Sequence, residues 1–182
     1  MVDPKDFIPD LVKWEGNVDH MYRDTVGYCT VAVGHLLHNA EDATALAFCR
    51  GGQPASNGDI EAEFNEVMRM PKGLGASAYF TERGLYLPLD VGEALAANRL
   101  SEEFLPALRG MVTGFDGLPR PWQTGLVDMA WNLGVHGLGG GFPNFLAALN
   151  RGAGARAAVE CHRATCRDDR NDWCRDLFAG VA

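Results

Sequence analysis

The stretch of sequence that decides the fold runs from Glu15 to His35 and reads EGNVDHMYRDTVGYCTVAVGH. Two strand-like runs lie within it, Met21–Asp24 and Cys29–Val33, and the second is rich in the β-branched residues that strands favour. Residues 25–28, between the two runs, have the composition of a turn. The stretch therefore predicts a β-hairpin.

The residues before this hairpin predict a helix from about Pro4 to Glu15. Asp3 provides an N-cap, and Pro4 takes the first helical position, where proline is well tolerated. Gly16 supplies a stop signal. The apolar residues recur at helical spacing and are Phe7, Ile8, Leu11, Val12 and Trp14. Because this stripe needs a partner, the helix is assigned to the helical part of the protein.

The second half of the chain is predicted to be helical. Helices are expected over residues 91–98 and 104–112 and from Pro121 to Leu133, followed by shorter helices at about 144–150, 155–164 and 169–178. The helix that begins at Pro121 is apolar nearly all round, which predicts the buried centre of a bundle. The intervening residues 38–89 are the least regular, with a loop at residues 51–58 and a helix capped by Asp59.

These elements predict a single domain of the α+β class, mainly α, over residues 1–182. A small β-hairpin lobe is expected at residues 16–89 and a larger helical lobe at residues 90–182. The first helix, within residues 1–15, would belong to the helical lobe. Glu15 would then lie where the two lobes meet, and a cleft between lobes is a common place for a substrate site.

Composition and charge narrow the functional classes. The chain has 182 residues, 47% of them hydrophobic, which is enough for a substantial core, and its formal net charge is -8. A nucleic-acid binder would need a basic face, so nucleic acid is not an expected partner. No apolar run reaches the length of a membrane span. The charged N-terminus does not resemble a signal peptide, so we expect a protein made in the cytoplasm that reaches an external target by another route.

The cysteines are five in number: Cys29, Cys49, Cys161, Cys166 and Cys174. The odd number argues against a complete disulfide framework. The spacing of Cys161, His162 and Cys166 fits no common zinc pattern. Free thiols and no bound metal are therefore the prediction.

Three residues of the opening stretch are candidates for acid–base chemistry. Glu15 ends the first helix beside its apolar face, where burial and the negative end of the helix dipole would both favour the protonated acid. Asp24 and Thr30 would face each other across the hairpin and hold a water molecule for attack on a sugar carbon. Each residue also has an ordinary interpretation, as a solvent-exposed glutamate, a turn-capping aspartate and a strand threonine.

The whole stretch resembles the signature of the phage-type lysozymes, which form glycoside hydrolase family twenty-four. The shared pattern is a glutamate at the end of the first helix, Tyr-x-Asp in a strand, a Gly-Tyr turn and then Thr-x-x-x-Gly-His. The resemblance implies a lysozyme-like fold with a cleft between its lobes. It implies that the catalytic residues are Glu15, Asp24 and Thr30. It also implies that Gly34 and His35 support the hairpin lobe and that Leu36 lines the cleft.

Two later regions extend the resemblance. The runs Trp131–Gly134 and Gly141–Leu146 are similar to the family's buried central helix and to the short helix beyond it. They imply substrate binding by Trp131, Asn132 and Phe142. The ordinary alternatives are core packing for Trp131 and a satisfied core amide for Asn132.

Arg170 carries the third part of the resemblance. It shares one helical face with Cys174 and Leu177, and an arginine on an apolar face should be paired. The resemblance implies that this arginine contacts the catalytic glutamate. A solvated arginine is the ordinary alternative.

The function implied by the resemblance is that of a muramidase, a glycoside hydrolase that cleaves the β-1,4 bond between N-acetylmuramic acid and N-acetylglucosamine in bacterial peptidoglycan. Inversion of the anomeric centre and the absence of a cofactor are expected. A lytic transglycosylase or chitinase-like enzyme on the same fold, and a non-catalytic glycan-binding module, stay open as alternatives. The expected partners of the monomer are glycan strands, together with a cognate immunity protein or a secretion-machine carrier. Action would be in the periplasm or on the cell wall.

Two features depart from the family. Residues 38–89 exceed the usual length of the small lobe and would form a lid, a wider hairpin lobe or an accessory surface. The chain is acidic, with a net charge of -8, whereas lysozymes of this kind are often basic. Both departures favour a delivered antibacterial effector over a phage endolysin, and they leave the substrate range within the class open.

Overall fold

The computed structural model describes residues 2–180 of the chain. It is mainly helical, with 61% of residues in helices and 11% in strands, and it contains two small antiparallel sheets. The predicted class, α+β and mainly α, is thereby confirmed. Among these residues, no helix has both the length and the apolar character that crossing a membrane requires. The chain divides into two compact units, here termed the middle unit (residues 11–97) and the terminal unit (residues 2–10 and 98–180).

The middle unit contains the predicted hairpin. Helix α1 (Ile8–Glu15) ends in this unit, and the boundary between the units falls after Asp10. An antiparallel sheet follows in the order β1-β2-β3, with β1 at Val18–Arg23, β2 at Cys29–Ala32 and β3 at His35–Leu37. The sequence did not predict β3, because three residues after a tight turn are too few to show a strand pattern.

Residues 38–89 add two helices and a second small sheet. The elements are α2 (Ala40–Thr44), β4 (Cys49–Arg50), β5 (Gln53–Pro54), α3 (Asn57–Arg69) and β6 (Leu85–Tyr86), and the sheet order is β5-β4-β6. The sequence predicted Asp59 as the N-cap of α3, but the N-cap is Ser56. The Ser56 hydroxyl accepts a hydrogen bond of 3.2 Å from the Asp59 backbone N–H and donates one of 2.7 Å to Asp59 Oδ2.

The added residues complete the core of the middle unit. Met21, Cys29, Val31 and Leu37 of the first sheet are buried in one cluster with Phe48, Ile60, Phe64, Val67, Tyr79, Leu85 and Leu87 of the 38–89 segment. Removal of these apolar side chains from water is the main force that holds such a cluster together. Residues 38–89 therefore share one core with the first sheet.

The terminal unit is helical. Its first element is a 3-10 turn, Pro4–Phe7, which replaces the first turn of the predicted helix and keeps the predicted cap at Asp3. The later helices are the end of α4 (Leu89–Arg99), α5 (Leu105–Met111), α6 (Arg120–Gly141), α7 (Pro143–Asn150), α8 (Gly154–Glu160) and α9 (Asp168–Ala179). The sequence predicted separate helices over residues 91–98 and 104–112. In the structure they are continuous, because a π-helical turn at Leu100–Phe104 joins α4 to α5.

Helix α6 confirms the predicted buried centre. Every residue from Gln123 to Ala130 is buried, including the charged residue of this run, Asp128. The helix is kinked at Gly134, whose φ of 71° and ψ of 157° suit glycine alone. A buried carboxylate in such a helix needs a partner, and the partner lies in the candidate site.

Candidate active site

Glu15 is the last residue of α1, as the sequence predicts. Gly16 ends the helix, because its φ of 79° lies in the left-handed region and its N–H donates to the Val12 carbonyl at 2.9 Å. The side chain of Glu15 is exposed. The burial expected from its spacing is therefore wrong: the helix stops here, so no further turn extends the apolar face over the carboxyl group.

Asp24 follows β1 and holds the turn between β1 and β2. Its Oδ1 accepts hydrogen bonds from the backbone N–H groups of Gly27 at 2.5 Å and Tyr28 at 2.8 Å. The turn-capping interpretation is thus correct. The second carboxylate oxygen, Oδ2, makes no hydrogen bond to any described residue. One oxygen therefore has a structural task, while the other is available for chemistry.

Thr30 lies at the centre of the first sheet, opposite Tyr22 on β1 and Leu36 on β3. Residues directly opposite in an antiparallel ladder point to the same face, and Asp24, two residues after Tyr22, continues that face. Thr30 is only 2% exposed, and its hydroxyl donates to the Tyr28 carbonyl at 3.5 Å. Leu36 is 37% exposed.

The register of the hairpin differs from the predicted one. Asp24 and Tyr28 close a three-residue loop, residues 25–27, in which Gly27 takes a φ of 116°. The predicted turn, residues 25–28, was one residue longer, and Asp24 was expected to face Thr30 across the hairpin. The shorter loop places Tyr22 there instead.

Tyr22 is a site residue that the sequence reasoning missed. Burial raises the pKa of its phenol, and the negative charges of Asp24 and Glu15 raise it further. Both predicted catalytic carboxylates are thus close enough to this one hydroxyl to act on it electrostatically. The available signal was spacing, because Tyr22 and Asp24, two residues apart in a strand, share a face.

Arg23 braces the turn between β1 and β2. Its Nε donates to the Gly27 carbonyl at 3.0 Å and its Nη1 to the Met70 carbonyl at 2.9 Å. The Gly73 N–H donates in return to the Arg23 carbonyl at 3.3 Å. The 38–89 segment is therefore attached to the turn by hydrogen bonds from both sides of one arginine.

Gly34 and His35 connect β2 to β3. Gly34 has a φ of 72°, and a Cβ at this position would meet no atom within 4 Å. Backbone conformation, and not crowding, thus favours glycine here. His35 pairs with the buried Val31, so it belongs to the face opposite to that of Thr30. His35 is therefore not on the face that carries Tyr22, and its supporting role stays a prediction.

Trp131, in the terminal unit, is part of an aromatic stack. Its ring lies 5.1 Å from that of Phe104, with 27° between the two planes. The guanidinium of Arg99 lies 5.0 Å from the Phe104 centroid and 5.2 Å from the Trp131 centroid. One part of the Trp131 side chain packs against Phe104 and Arg99. The rest is accessible, because Trp131 is half-buried.

Asn132 and Phe142 are the other predicted binding residues of the terminal unit. Asn132 is exposed, so it is not a core amide, and its Oδ1 accepts a hydrogen bond of 3.4 Å from Arg163 Nη1. Phe142 ends α6 and lines a cavity of about 350 Å³ together with Asn144 and His162. Both side chains are thus accessible to a ligand in part.

Arg170 is buried and paired, as its position on an apolar face predicts. Its Nε and Nη2 donate to Asp128 Oδ1 at 2.9 and 2.7 Å. A second buried arginine, Arg163, lies 2.8 Å from Asp128 Oδ2. The sequence reasoning missed both Asp128 and Arg163, although a charged residue inside an apolar helix signals a buried partner. The implied contact between Arg170 and Glu15 stays a prediction.

The middle unit thus combines several groups capable of acid–base chemistry. They are the accessible carboxyl group of Glu15, the Oδ2 atom of Asp24 and the hydroxyl groups of Tyr22 and Thr30. Such a set is able to donate a proton to one oxygen and to orient water with another. Among residues 2–180, no group of three or more His, Cys, Asp or Glu side chains is arranged to hold a metal ion, and all five cysteines are free thiols.

No protein-family model matches the chain, and no curated protein has a matching sequence. The residues and their geometry therefore carry the functional inference.

Proposed function

We propose that the protein is a muramidase with a lysozyme-like fold, which hydrolyses the β-1,4 bond between N-acetylmuramic acid and N-acetylglucosamine in bacterial peptidoglycan. The observation that carries this proposal is the geometry of the hairpin that follows Glu15: Thr30 pairs with Tyr22 on one sheet face, and Asp24 caps the adjoining turn through Oδ1 alone. Two carboxyl groups that flank the scissile bond are the machinery of most glycosidases. The resemblance of the Glu15–His35 stretch to phage-type lysozymes adds support.

In this proposal Glu15 is the general acid. Its accessible carboxyl group donates a proton to the glycosidic oxygen as the bond from that oxygen to the anomeric carbon breaks. A water molecule attacks the anomeric carbon from the opposite face, and Asp24 Oδ2 accepts the proton that the water loses. The Thr30 hydroxyl orients this water. The products are a new reducing end and a new 4-hydroxyl group, with inversion at the anomeric carbon.

The turn prepares Asp24 for its proposed task. Two backbone N–H groups hold Oδ1, and Arg23 attaches the same turn to Met70. The carboxylate is therefore fixed before a substrate binds. Such preorganisation reduces the reorganisation that the reaction itself requires.

The proposed substrate lies outside the cytoplasm, so the enzyme would act in the periplasm or on the cell wall after release or delivery. The steps above use side chains and water alone, so no cofactor is required, and a monomer suffices. A delivered effector with a cognate immunity protein and a phage endolysin are the two biological settings that fit this chemistry.

Lysis of peptidoglycan by the Glu15→Gln variant tests the proposal. Wild-type protein should clear a wall suspension, and Glu15→Gln, which keeps the size of the side chain but cannot act as the acid, should be slower by roughly 10²-fold or more. Glu102→Gln changes an exposed glutamate of the π-helical turn and is the matched control, with an expected wild-type rate. Circular dichroism should show all three proteins folded. Clearing by Glu15→Gln at the wild-type rate would overturn the proposal.

The chemical nature of the products separates the related activities. Hydrolysis leaves reducing muramic acid ends, whereas a lytic transglycosylase leaves anhydro ends, and mass spectrometry distinguishes the two. Release of oligosaccharides from chitin at a comparable rate would indicate a chitinase-like enzyme. Binding to the wall without any product would indicate a glycan-binding module.

A further inference from the structure

Gly92 allows α4 to pack closely against two other parts of the middle unit. A Cβ atom at this buried position would lie 2.8 Å from the Cβ of Ala32 and 2.8 Å from Oδ1 of Asn17. Both contacts are too short for a carbon atom, so any larger residue at position 92 would force its neighbours to move. Glycine weakens a helix relative to alanine, so the close approach is the physical reason for a glycine here.

Asn17 connects the chain between α1 and β1 to the start of α4. Its Nδ2 donates a hydrogen bond of 3.1 Å to the Leu89 carbonyl. Since a carbonyl oxygen needs a donor, this bond assigns the nitrogen to the Leu89 side and Oδ1 to the Gly92 side. Oδ1 is buried and accepts no hydrogen bond from any described residue. The bond to Leu89 and the contact with Gly92 therefore hold the side chain in one orientation.

Ala32, the second neighbour of Gly92, ends β2 in an unusual backbone conformation. Its φ of 56° lies in the left-handed region, which is unfavourable for a residue with a Cβ atom. Such a conformation persists where the surrounding structure fixes it. Here Ala32 pairs with Val18, the first residue of β1, and its Cβ lies against Gly92. The packing of α4 thus fixes the end of β2 as well as the residue before β1.

This packing point lies two residues from each of two candidate catalytic residues. Asn17 follows Glu15 by two residues, and Ala32 follows Thr30 by two. The residue between Glu15 and Asn17 is Gly16, which has no side chain to restrain the chain and has open space around its Cα. The Asn17 side chain is therefore the contact nearest to Glu15 that joins the end of α1 to α4.

We propose that Asn17 is a positioning residue, which fixes the end of α1 against α4 and so sets the distance from the Glu15 carboxyl group to the sheet face of Thr30 and Tyr22. This inference rests on the proposed muramidase function, in which Glu15 is the general acid. A general acid must lie within hydrogen-bond reach of the oxygen that it protonates, and a small displacement lowers the rate. Asn17 acts through Glu15 and touches no reacting atom.

Kinetics of Asn17→Ala on peptidoglycan give the first test. The variant loses the hydrogen bond to Leu89, so we expect kcat to fall roughly three- to tenfold. KM should change little, because the surfaces that bind the glycan are unaltered and only the placement of the acid differs. Asn65→Ala changes an exposed asparagine of α3 and is the matched control, with an expected wild-type kcat.

The titration of Tyr22 gives the second test and needs no substrate. Burial raises the pKa of the Tyr22 phenol, and the negative charges of Asp24 and Glu15 raise it further. Glu15→Gln should therefore lower this pKa in the wild-type background. In the Asn17→Ala background the same substitution should lower it less, because a loosely held carboxylate lies on average farther from the phenol. A merely structural role of Asn17 would lower the melting temperature and leave this difference unchanged.

Gly92→Ala tests the packing point while Asn17 is kept. The added methyl group should displace Asn17 and Ala32, and both the melting temperature and kcat should fall. Ala32→Gly removes one of the two close contacts and suits the positive φ, so the double variant should regain part of its stability. Its kcat should stay low, because Asn17 is still displaced. Gly110→Ala, at a position in α5 with open space, is the control and should keep the wild-type kcat.

The outcomes distinguish failure of the inference from failure of the proposed function. If the wild-type protein releases no product from the wall, the muramidase proposal is overturned and the inference with it. If the wild-type protein digests the wall, an unchanged kcat in Asn17→Ala, or an unchanged effect of Glu15→Gln on Tyr22, overturns the inference alone. Gly92→Ala supplies the same two measurements if Asn17→Ala does not fold. Full recovery of kcat in the double variant would also overturn the inference.

Discussion

Arg23 and Met70 are joined by a hydrogen bond of 2.9 Å, from Nη1 of the arginine to the carbonyl oxygen of the methionine. Met70 follows α3 in the 38–89 segment, and Arg23 immediately precedes Asp24, the cap of the β1–β2 turn. A segment that no sequence pattern connected to the candidate site thus holds the turn that carries one of its carboxylates. The 38–89 segment, which makes the middle unit long, therefore also helps to fix the position of the turn that carries Asp24.

We expect Arg23→Lys to lower kcat on peptidoglycan while the protein stays folded. Lysine has a single nitrogen and cannot bond the Gly27 and Met70 carbonyls together, so the turn gains freedom. The lost hydrogen bond contributes about 1 kcal/mol, which corresponds to a decrease of roughly three- to tenfold. Arg69→Lys, an exposed arginine of α3, is the control and should keep the wild-type kcat. An unchanged kcat in Arg23→Lys would show that catalysis does not depend on the hydrogen bonds from Arg23 to the Gly27 and Met70 carbonyls.

Substitutions of Asp24 should separate its structural task from its chemical one. Asparagine keeps an oxygen for the N–H groups of Gly27 and Tyr28, so Asp24→Asn should melt near the wild-type temperature. Its lysis rate should nevertheless fall by roughly 10²-fold, because no carboxylate remains to accept a proton. Asp24→Ala also removes the turn cap and should lose roughly 1–2 kcal/mol of stability. Thermal unfolding and turbidity measure the two effects, and wild-type lysis by Asp24→Asn would exclude Asp24 from the mechanism.

The ionisation of Tyr22 tests the geometry of the site without any substrate. Its pKa should lie above the ordinary value of 10.0 and should fall in Glu15→Gln and in Asp24→Asn, because each change removes a negative charge that disfavours the phenolate. Ultraviolet absorbance, taken as the difference between each protein and its Tyr22→Phe counterpart, isolates this residue from the three other tyrosines. A pKa that responds to neither substitution would mean that the two carboxylates do not converge on Tyr22.

Glu63 makes the stability of the middle unit depend on pH. The residue is 1% exposed and accepts a hydrogen bond of 2.9 Å from the Thr81 hydroxyl. Burial raises the pKa of its carboxyl group above the ordinary 4.5, and the Thr81 hydrogen bond opposes this only in part. The folded state therefore binds a proton more tightly than the unfolded state. Its stability rises as the pH falls through the raised pKa and is lowered above it.

Glu63→Gln should consequently raise the melting temperature at neutral pH. Glutamine still accepts the hydrogen bond from Thr81 but carries no charge to bury. The difference from the wild-type protein should shrink as the pH approaches about 4, where the unfolded carboxyl group is also protonated in part. Glu61→Gln changes an exposed glutamate of the same helix and should show neither effect. A lower melting temperature of Glu63→Gln at neutral pH would contradict the assigned cause.

The features that the sequence predicted correctly have local causes. Gly16 stops α1 at Glu15 because a glycine at this position enters the left-handed region without strain. The β-branched run at residues 29–33 forms a strand because its side chains suit a pleated surface. Helix α6 is buried because it is apolar nearly all round. Each of these causes acts within a few residues of the chain.

The features that the sequence did not predict depend on distant residues or on a single turn. Thr30 faces Tyr22 because the loop is one residue shorter than its composition suggested, and a shift of one residue changes every partner in a hairpin. Asp128 and Arg163 meet only after two helices have packed, so neither residue's local pattern shows the pair. The exposure of Glu15 likewise depends on where the chain goes after its helix ends.

The kink at Gly134 gives α6 two regions of different local stability. Residues 135–141 contain four glycines, and each of them lowers the stability of a helix by about 1 kcal/mol relative to alanine. This region should therefore open, and exchange its amide hydrogens, at a free energy below that of global unfolding. Phe142, at its end, is then able to shift while the buried Asp128 stays covered. We therefore expect the cavity lining at Phe142 to be less rigid than the buried run that contains Asp128.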